Sequence, residues 1–127
     1  MIYADWAKKH DISYNALLIL YSLWNGKYYC TQKMICQQWM LPKQTVNTIL
    51  KDLEKKELVS FGATPYDHRK RGICLTDSGI DYAKPIIPKL MELETQVMEK
   101  LGNERAEAII ENTALFIEYF KEGMDSE

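Results

Sequence analysis

The stretch from Pro42 to Lys56 constrains the fold more than any other part of the chain. Its apolar residues recur at intervals of three and four positions. This spacing puts them on one stripe of an α-helix and leaves the opposite face polar. Pro42 fits the first turn of such a helix, where its missing N–H costs no hydrogen bond. The pattern predicts an amphipathic helix with one side in a core. The members of the stripe are Val46, Ile49, Leu50 and Leu53.

A β-hairpin is predicted directly after this helix. Apolar and small residues alternate from Leu58 to Ala63, as they do in a strand with one buried face. Thr64–Gly72 is polar and basic, which is typical of a hairpin tip, and Ile73–Leu75 is the returning strand. A short helix is predicted in front of the amphipathic one, at Gln32–Trp39, with Thr31 as its N-cap. Two helices joined by a tight turn and followed by a hairpin form a winged helix-turn-helix.

Helices are also predicted on both sides of this unit, so the chain as a whole is expected to be mostly α with a small β-hairpin wing. Ser13, and either Thr76 or Asp77, are the N-cap candidates that begin two of these helices. Pro85 and Pro88 are expected to kink or interrupt the long helix in which they fall. The additional helices are Tyr3–Lys9, Tyr14–Trp24, Ser78–Leu101 and Glu104–Glu122, with a short β-like stretch at Tyr28–Cys30.

The net charge of −2 conceals a strong separation of charge along the chain. Residues 1–30 carry a net charge of +1, and residues 31–76, with eight basic and four acidic residues, carry +4. Residues 77–127 hold five basic and twelve acidic residues, a net charge of −7. A polyanion would therefore be attracted to the middle segment and repelled by the last one.

The polar face of the amphipathic helix has a composition that suits the DNA major groove. Four polar residues follow one another there at helical spacing, opposite the apolar stripe. Glutamine and asparagine can pair with the edge of adenine through two hydrogen bonds, and lysine can reach guanine or a phosphate. For this helix taken alone, an ordinary solvated face is the alternative. The candidate DNA contacts on the two helices are Thr31, Gln32, Lys33, Lys43, Gln44, Thr45, Asn47, Thr48 and Lys51.

The predicted hairpin tip contains three consecutive cations, Arg69, Lys70 and Arg71, shortly after Asp67. Cations in a loop between strands suit contact with the minor groove or with phosphates. Asp67 is expected to steady Arg69 through a charge-assisted hydrogen bond. A charged, solvated tip is the alternative, but the helix pair in front of it favours DNA contact. These four residues complete the candidate DNA-binding set.

The run from Asp67 to Gly79 resembles the wing signature of the MarR family, which consists of Asp-x-Arg, a short spacer, Leu-Thr and x-x-Gly. Leu41–Val46, together with Leu53–Lys56, is similar to the recognition helix of that family. Glu57 stands near a position where the family often has glycine.

This resemblance implies a single MarR-type domain over residues 1–127. A winged helix-turn-helix lobe at 13–76 would bind DNA, and residues 1–12 with 77–127 would form a helical dimerisation lobe. The implied function is that of a homodimeric transcriptional regulator, a repressor, and a cytoplasmic location is expected by default because the sequence shows neither a membrane span nor a signal-peptide pattern. It would bind a pseudo-palindromic double-stranded operator with its recognition helix in the major groove and its wing in the minor groove. The rival is a winged-helix module that binds a protein partner without binding DNA, and the positive middle segment argues against it.

Two further expectations concern the helices outside the winged unit. The apolar face predicted for Glu104–Glu122 is too broad for one short partner helix, so we expect a dimer to cover it. We also expect modulation by a small-molecule effector, in a pocket walled by Tyr21, Trp24 and Tyr82. A plain core role is the alternative for these three aromatic residues.

Other classes of protein find little support in the sequence. It contains no nucleophile motif, glycine-rich phosphate loop or zinc-protease motif, so we expect no enzyme, catalytic residue, cofactor or metal. The three cysteines, Cys30, Cys36 and Cys74, are expected to be reduced thiols, with oxidant sensing as the alternative. No apolar run is long enough for a membrane span, and Met1–His10 lacks a signal-peptide pattern, so we expect no membrane association.

Overall fold

The computed structural model describes residues 2–26, 30–63 and 71–127. Helices make up most of these ranges, and an antiparallel hairpin follows the fourth helix, which confirms the predicted fold class. Residues 1–89 and 90–127 form two compact units. The helices are α1 (Ile2–Lys9), α2 (Tyr14–Gly26), α3 (Gln32–Trp39), α4 (Lys43–Lys55), α5 (Asp77–Ala83), α6 (Ile87–Leu101) and α7 (Asn103–Asp125), and the strands are β1 (Val59–Ala63) and β2 (Arg71–Leu75).

The helix-turn-helix consists of α3 and α4. The predicted N-cap of α3 is confirmed, because Thr31 Oγ1 accepts a hydrogen bond from the backbone N–H of Met34 at 3.2 Å. Met40 ends α3 in the left-handed conformation, with φ 55°, and turns the chain toward α4. Pro42 is the N-cap of α4 and not its first helical residue, so the helix begins one position later than predicted. The turn between the two helices is therefore as tight as the sequence indicates.

Half of the buried apolar residues of the first unit come from α2 and α4. The nearly uniform apolar sequence of α2 predicts burial on most sides; six of its 13 residues are buried, and Asn25 is its one exposed residue. Three members of the predicted stripe on α4 are buried, and the fourth, Ile49, is half-buried. Each fully buried side chain of this kind stabilises the fold by about 1.5–3 kcal/mol. The largest are Leu17, Ile19, Leu20, Ile35, Val46, Leu50, Ile73 and Ile87.

The chain leaves α4 through a turn in which Glu57 takes the left-handed conformation, with φ 62°. The N–H of Glu57 donates to the carbonyl of Glu54, and the N–H of Leu58 donates to the carbonyl of Leu53, both at 2.9 Å. These bonds supply donors to two carbonyls in the last turn of α4, which have no partner within the helix. Glycine adopts this conformation without strain, whereas another residue stores roughly 1–2 kcal/mol. The glutamate therefore keeps the turn at a cost in stability.

Gly79 lets the first turn of α5 approach this same turn. Thr76 is the N-cap of α5, and its Oγ1 accepts from the N–H of Gly79 at 3.0 Å and donates to the carbonyl of Glu57 at 2.6 Å. The N–H of Thr76 donates to the carbonyl of Leu58 at 3.0 Å. A Cβ at position 79 would overlap the Leu58 carbonyl oxygen and lie 2.9 Å from its carbonyl carbon. The Leu-Thr-x-x-Gly run thus has a packing reason.

The two strands pair over their full length, from Val59 opposite Leu75 to Ala63 opposite Arg71. β2 begins at Arg71, two residues earlier than the predicted start at Ile73. The prediction was wrong because glycine and basic residues favour a turn, whereas here the ladder continues through them. The hairpin thus carries its regular structure closer to the tip than predicted.

The predicted β-like stretch at Tyr28–Cys30 falls largely outside the described residues. Cys30, which is described, belongs to no strand, so the prediction is wrong for this residue. Its carbonyl nevertheless accepts a hydrogen bond from the N–H of Ile73 at 2.8 Å. This bond ties the chain before α3 to β2.

Proline interrupts the long helix predicted after the hairpin. α5 ends before Pro85, and α6 begins after it and carries Pro88 in its first turn, where a missing N–H is tolerated. The indole N–H of Trp6 donates to the carbonyl of Ile86 in the intervening turn at 3.1 Å. The break between the helices therefore anchors α1.

Many apolar side chains of the unit formed by residues 90–127 are exposed to solvent. α7 is described over its whole length and buries none of its residues. Phe116 and Phe120 stack on each other with ring centroids 6.2 Å apart, and they are 68% and 57% exposed. Ile109, Ile110 and Ile117 are exposed to a similar degree. Among the described helices, none is long and apolar enough to cross a membrane.

Candidate nucleic-acid interface

α4 presents a polar face opposite its buried stripe. Gln44, Thr48 and Lys51 are exposed and Asn47 is half-buried. Thr48 Oγ1 donates to the backbone carbonyl of Gln44 at 2.9 Å, which leaves the hydroxyl oxygen as an acceptor. Within the described residues, the side-chain amides of Gln44 and Asn47 make no hydrogen bond. Their donors and acceptors are therefore available to an external partner.

The joint between α3 and α4 uses one of the predicted contact residues. The amide Nε2 of Gln32 donates to the backbone carbonyl of Lys43 at 3.2 Å. The bond links the first turn of α3 to the first turn of α4. Thr31 likewise uses its hydroxyl to cap α3. Both residues thus hold the helices in place, and the lysines Lys33 and Lys43 beside them are exposed.

A polar network that the sequence did not indicate fixes α3 against α2. Ser22 is 5% exposed, and its hydroxyl donates to the Gln38 side-chain carbonyl at 2.9 Å. The indole N–H of Trp39 donates to the Ser22 oxygen at 2.6 Å. The ring of Trp39 also meets Tyr21 edge to face, with centroids 6.2 Å apart. The one sequence signal that could have indicated the network is a serine inside an apolar helix, since a buried hydroxyl needs partners.

One of the two acidic residues on the later part of α4, Asp52, is paired. Asp52 lies 3.0 Å from Lys56 in an exposed ion pair one helical turn apart. The hydrogen bond and the charge of Asp52 raise the pKa of the Lys56 ammonium above its ordinary value. Local repulsion of a polyanion by Asp52 is therefore reduced next to the exposed Lys51.

The predicted wing contacts divide into two groups. Asp67, Arg69 and Lys70 lie outside the described residues. Arg71 is described: it is the first residue of β2, it is exposed, and its guanidinium carbon lies 4.4 Å from the centroid of the Phe61 ring. A cation thus sits at the base of the hairpin tip, held against an aromatic face. Phe61 was not among the predicted site residues.

The three residues predicted to wall an effector pocket have different surroundings. Tyr21 and Trp24 are half-buried on neighbouring turns of α2, and Tyr21 packs against Trp39. Tyr82, on α5, is 39% exposed. The effector pocket stays a prediction.

Burial separates one cysteine from the others. Cys30 is buried, and Cys36 and Cys74 are half-buried. Burial, with a smaller contribution from Cys74, raises the pKa of the Cys30 thiol from 9.0 to about 11. A thiol with so high a pKa is almost entirely neutral at neutral pH and reacts poorly with oxidants. Cys30 therefore fits a structural role better than oxidant sensing.

Comparison with known proteins agrees with this arrangement. The family model described as MarR family matches residues 10–70. The protein SarZ of Staphylococcus haemolyticus, named an HTH-type transcriptional regulator, is 32% identical over 97 residues, which are 76% of this chain and 63% of SarZ. The chain thus spans a little under two thirds of that relative's length.

Solved structures give the same result for the fold. NMB1585, described as a MarR family regulator from Neisseria meningitidis, matches with 29% identity and a TM-score of 0.80, over 98% of this chain and 87% of its own. MepR of S. aureus, solved as a complex with DNA, matches with 23% identity and a TM-score of 0.70, over 93% and 85% of the two chains. The fold and the exposed helix define a winged helix-turn-helix protein. Together, the family model, SarZ and these structures support assignment of the chain to the MarR family of winged-helix regulators.

Proposed function

We propose that the protein is a sequence-specific, double-stranded DNA-binding transcriptional regulator. The observation that carries the proposal is the exposed face of α4, where Gln44 and Asn47 present unused amides beside Lys51. In this proposal α4 lies in the major groove, and its amides pair with base edges. Lys33, Lys43 and Lys51 meet phosphates.

The hairpin extends the proposed interface into the minor groove. Arg71 stands at its base, and Asp67, Arg69 and Lys70 complete the proposed wing contact. The net charge of +4 on residues 31–76 supports DNA binding by this segment, because positive charge is attracted to the phosphates of any duplex. The names of the relatives support it too, because SarZ is named a transcriptional regulator and MepR was solved with DNA.

Dimerisation is the second part of the proposal. The aromatic and aliphatic side chains of α7 are about half exposed, and contiguous exposed apolar side chains mark an interface. We assign α7, with the rest of 77–127 and residues 1–12, to a dimerisation lobe, and 13–76 to the DNA-binding lobe. Two identical lobes related by a two-fold axis would bind a pseudo-palindromic operator.

Regulation follows from this assembly. A dimer that occupies an operator would act as a repressor, and binding to chromosomal DNA would place it in the cytoplasm. A small effector near Tyr21, Trp24 and Tyr82 would modulate DNA affinity by changing the separation of the two wings.

Selection of bound sequences from a random duplex pool tests the DNA-binding proposal. We expect a two-fold symmetric consensus. Gln44→Ala and Asn47→Ala should weaken binding to the selected operator and leave binding to random DNA nearly unchanged, because they remove base contacts. Gln96→Ala, an exposed glutamine on α6, is the matched control. Recovery of no sequence above background would favour the protein-interaction alternative. Equal losses on both DNAs would contradict base recognition by α4 and would assign specificity to the wing or to DNA shape.

Sedimentation tests the dimer. We expect a dimer at micromolar concentration and a shift toward monomer for Phe120→Glu, because the charge would be buried at the interface. Lys121→Glu changes the neighbouring position on the same helix and should leave the dimer intact. A wild-type protein that sediments only as a monomer would contradict this part of the proposal.

A further inference from the structure

The outer half of the hairpin brings two large side chains together, Phe61 on β1 and Arg71 on β2. The guanidinium carbon of Arg71 lies 4.4 Å from the centroid of the Phe61 ring. A cation within about 6 Å of an aromatic face is attracted by the charge distribution of the ring. Phe61 is half-buried and Arg71 is exposed. The ring is thus anchored in the hairpin, and the cation lies at its solvent edge.

The strand register explains why these two side chains meet. Phe61 lies opposite Ile73, and Arg71 precedes Ile73 by two residues, so Arg71 is the diagonal neighbour of Phe61 on one face of the hairpin. Between them, Gly62 pairs with Gly72. A Cβ on Gly62 would meet no atom within 4 Å. Both glycines lie on the opposite face of the hairpin, because neighbouring residues of a strand alternate between faces, so they take no part in the contact between ring and cation.

A guanidinium that stacks on a ring keeps its hydrogen-bond donors. The ring takes one face of the planar group, whereas the N–H donors point outward in the plane. Stacking and phosphate binding therefore use different parts of the same side chain. An arginine that is already held in place also loses less side-chain freedom when it binds.

We infer that Phe61 is a positioning residue for DNA binding, which holds Arg71 at the base of the hairpin tip so that the guanidinium meets a backbone phosphate. The inference rests on the proposed DNA-binding function. Phe61 itself does not touch the DNA, and it acts through Arg71. Removal of the aromatic face leaves the charge of Arg71 in place but frees its side chain.

A double-mutant cycle tests this role, with a labelled random-sequence duplex as the probe. Phe61→Leu keeps an apolar side chain but removes the aromatic face, and it should weaken binding about 2- to 5-fold, the effect of an exposed cation–π contact. Phe61→Trp should restore affinity. Arg71→Ala should lower the slope of log affinity against log salt by about 0.9, for one lost phosphate. In the Arg71→Ala background, Phe61→Leu should have no further effect.

The outcomes separate this inference from the function it rests on. If the wild-type protein binds the duplex and the Phe61→Leu protein binds it equally well, the positioning role is overturned. The role is also overturned if Phe61→Leu lowers affinity as much in the Arg71→Ala background as it does in the wild-type background. If the wild-type protein binds no duplex at low salt, the DNA-binding proposal itself fails, and the inference with it.

The wild-type protein provides an independent measurement in case Phe61→Leu does not fold. The ring current of Phe61 should shift the Nε–H and Cδ–H proton resonances of Arg71 upfield. We expect the shift to persist when the duplex is added. Loss of the shift on DNA binding would overturn the inference, because Arg71 would then leave the ring to reach the phosphate.

Discussion

Replacement of Gly79 by alanine should destabilise the protein strongly. The first turn of α5 lies directly against the backbone of Leu58, and the added Cβ would overlap the Leu58 carbonyl oxygen. A flexible side chain could move away, but this carbonyl is held by the turn after α4 and accepts a hydrogen bond from Thr76. Relief of the overlap therefore requires α5 to move away from that turn.

The magnitude follows from what such a movement breaks. Overpacking in a well-packed region costs about 1–3 kcal/mol. Thr76 makes two hydrogen bonds to the turn, one from its N–H and one from its hydroxyl, each worth about 1 kcal/mol. The higher helix propensity of alanine offsets at most about 1 kcal/mol. We expect a net loss of about 2–4 kcal/mol in the free energy of unfolding, or roughly 10 °C in Tm.

Urea denaturation followed by tryptophan fluorescence and circular dichroism measures this loss, at one protein concentration because a dimer's stability depends on it. Gly123→Ala is the matched control: a Cβ there meets no atom within 4 Å, and the helical position should gain up to about 1 kcal/mol. A Gly79→Ala protein within about 0.5 kcal/mol of wild type would refute the close-approach argument.

Three shorter predictions follow from other features. Glu57→Gly should stabilise the fold by roughly 0.5–1 kcal/mol in the same urea assay, because it relieves the left-handed strain, whereas Glu54→Gly inside α4 should cost about 1 kcal/mol. The raised pKa of Cys30 stabilises the folded state below pH 9, and this contribution should disappear as the pH rises from 9.0 to about 11. Cys30→Ala should flatten that part of the curve of unfolding free energy against pH. Lys51→Ala should weaken binding to operator and random DNA alike and lower the salt slope by about 0.9, whereas Lys89→Ala should change neither, in fluorescence anisotropy titrations.

Features that depend on local periodicity or on a cap could be predicted from the sequence. Three of the four residues of the stripe on α4 are buried as its spacing requires, and Thr31 and Thr76 cap the helices that follow them. Each of these signals lies within a few neighbouring residues, so the chain need not be folded to detect it. The family resemblance identified Gly79 as part of a signature. It did not identify the Leu58 carbonyl, whose close approach makes glycine necessary at this position.

Contacts between distant positions could not be predicted in this way. The hydrogen bond from Trp39 to Ser22 and the stacking of Arg71 on Phe61 each depend on how two elements pack. The type of a residue does not specify its contact partner, because a serine or a phenylalanine can pack against many different residues in a core or a hairpin. The start of β2 was missed for a related reason, since the ladder extends through residues that favour turns when isolated.

The candidate contact set shows what packing adds to residue type. Gln32 and Gln44 are both among the DNA contacts predicted from the sequence. In the structure, Gln32 uses its amide to hold α4 against α3, and Gln44 makes no side-chain hydrogen bond within the described residues. An amide already committed to the backbone cannot read a base without breaking that bond, whereas a free one pays no such penalty. Base recognition should therefore depend on Gln44 directly, and on Gln32 only through the placement of α4.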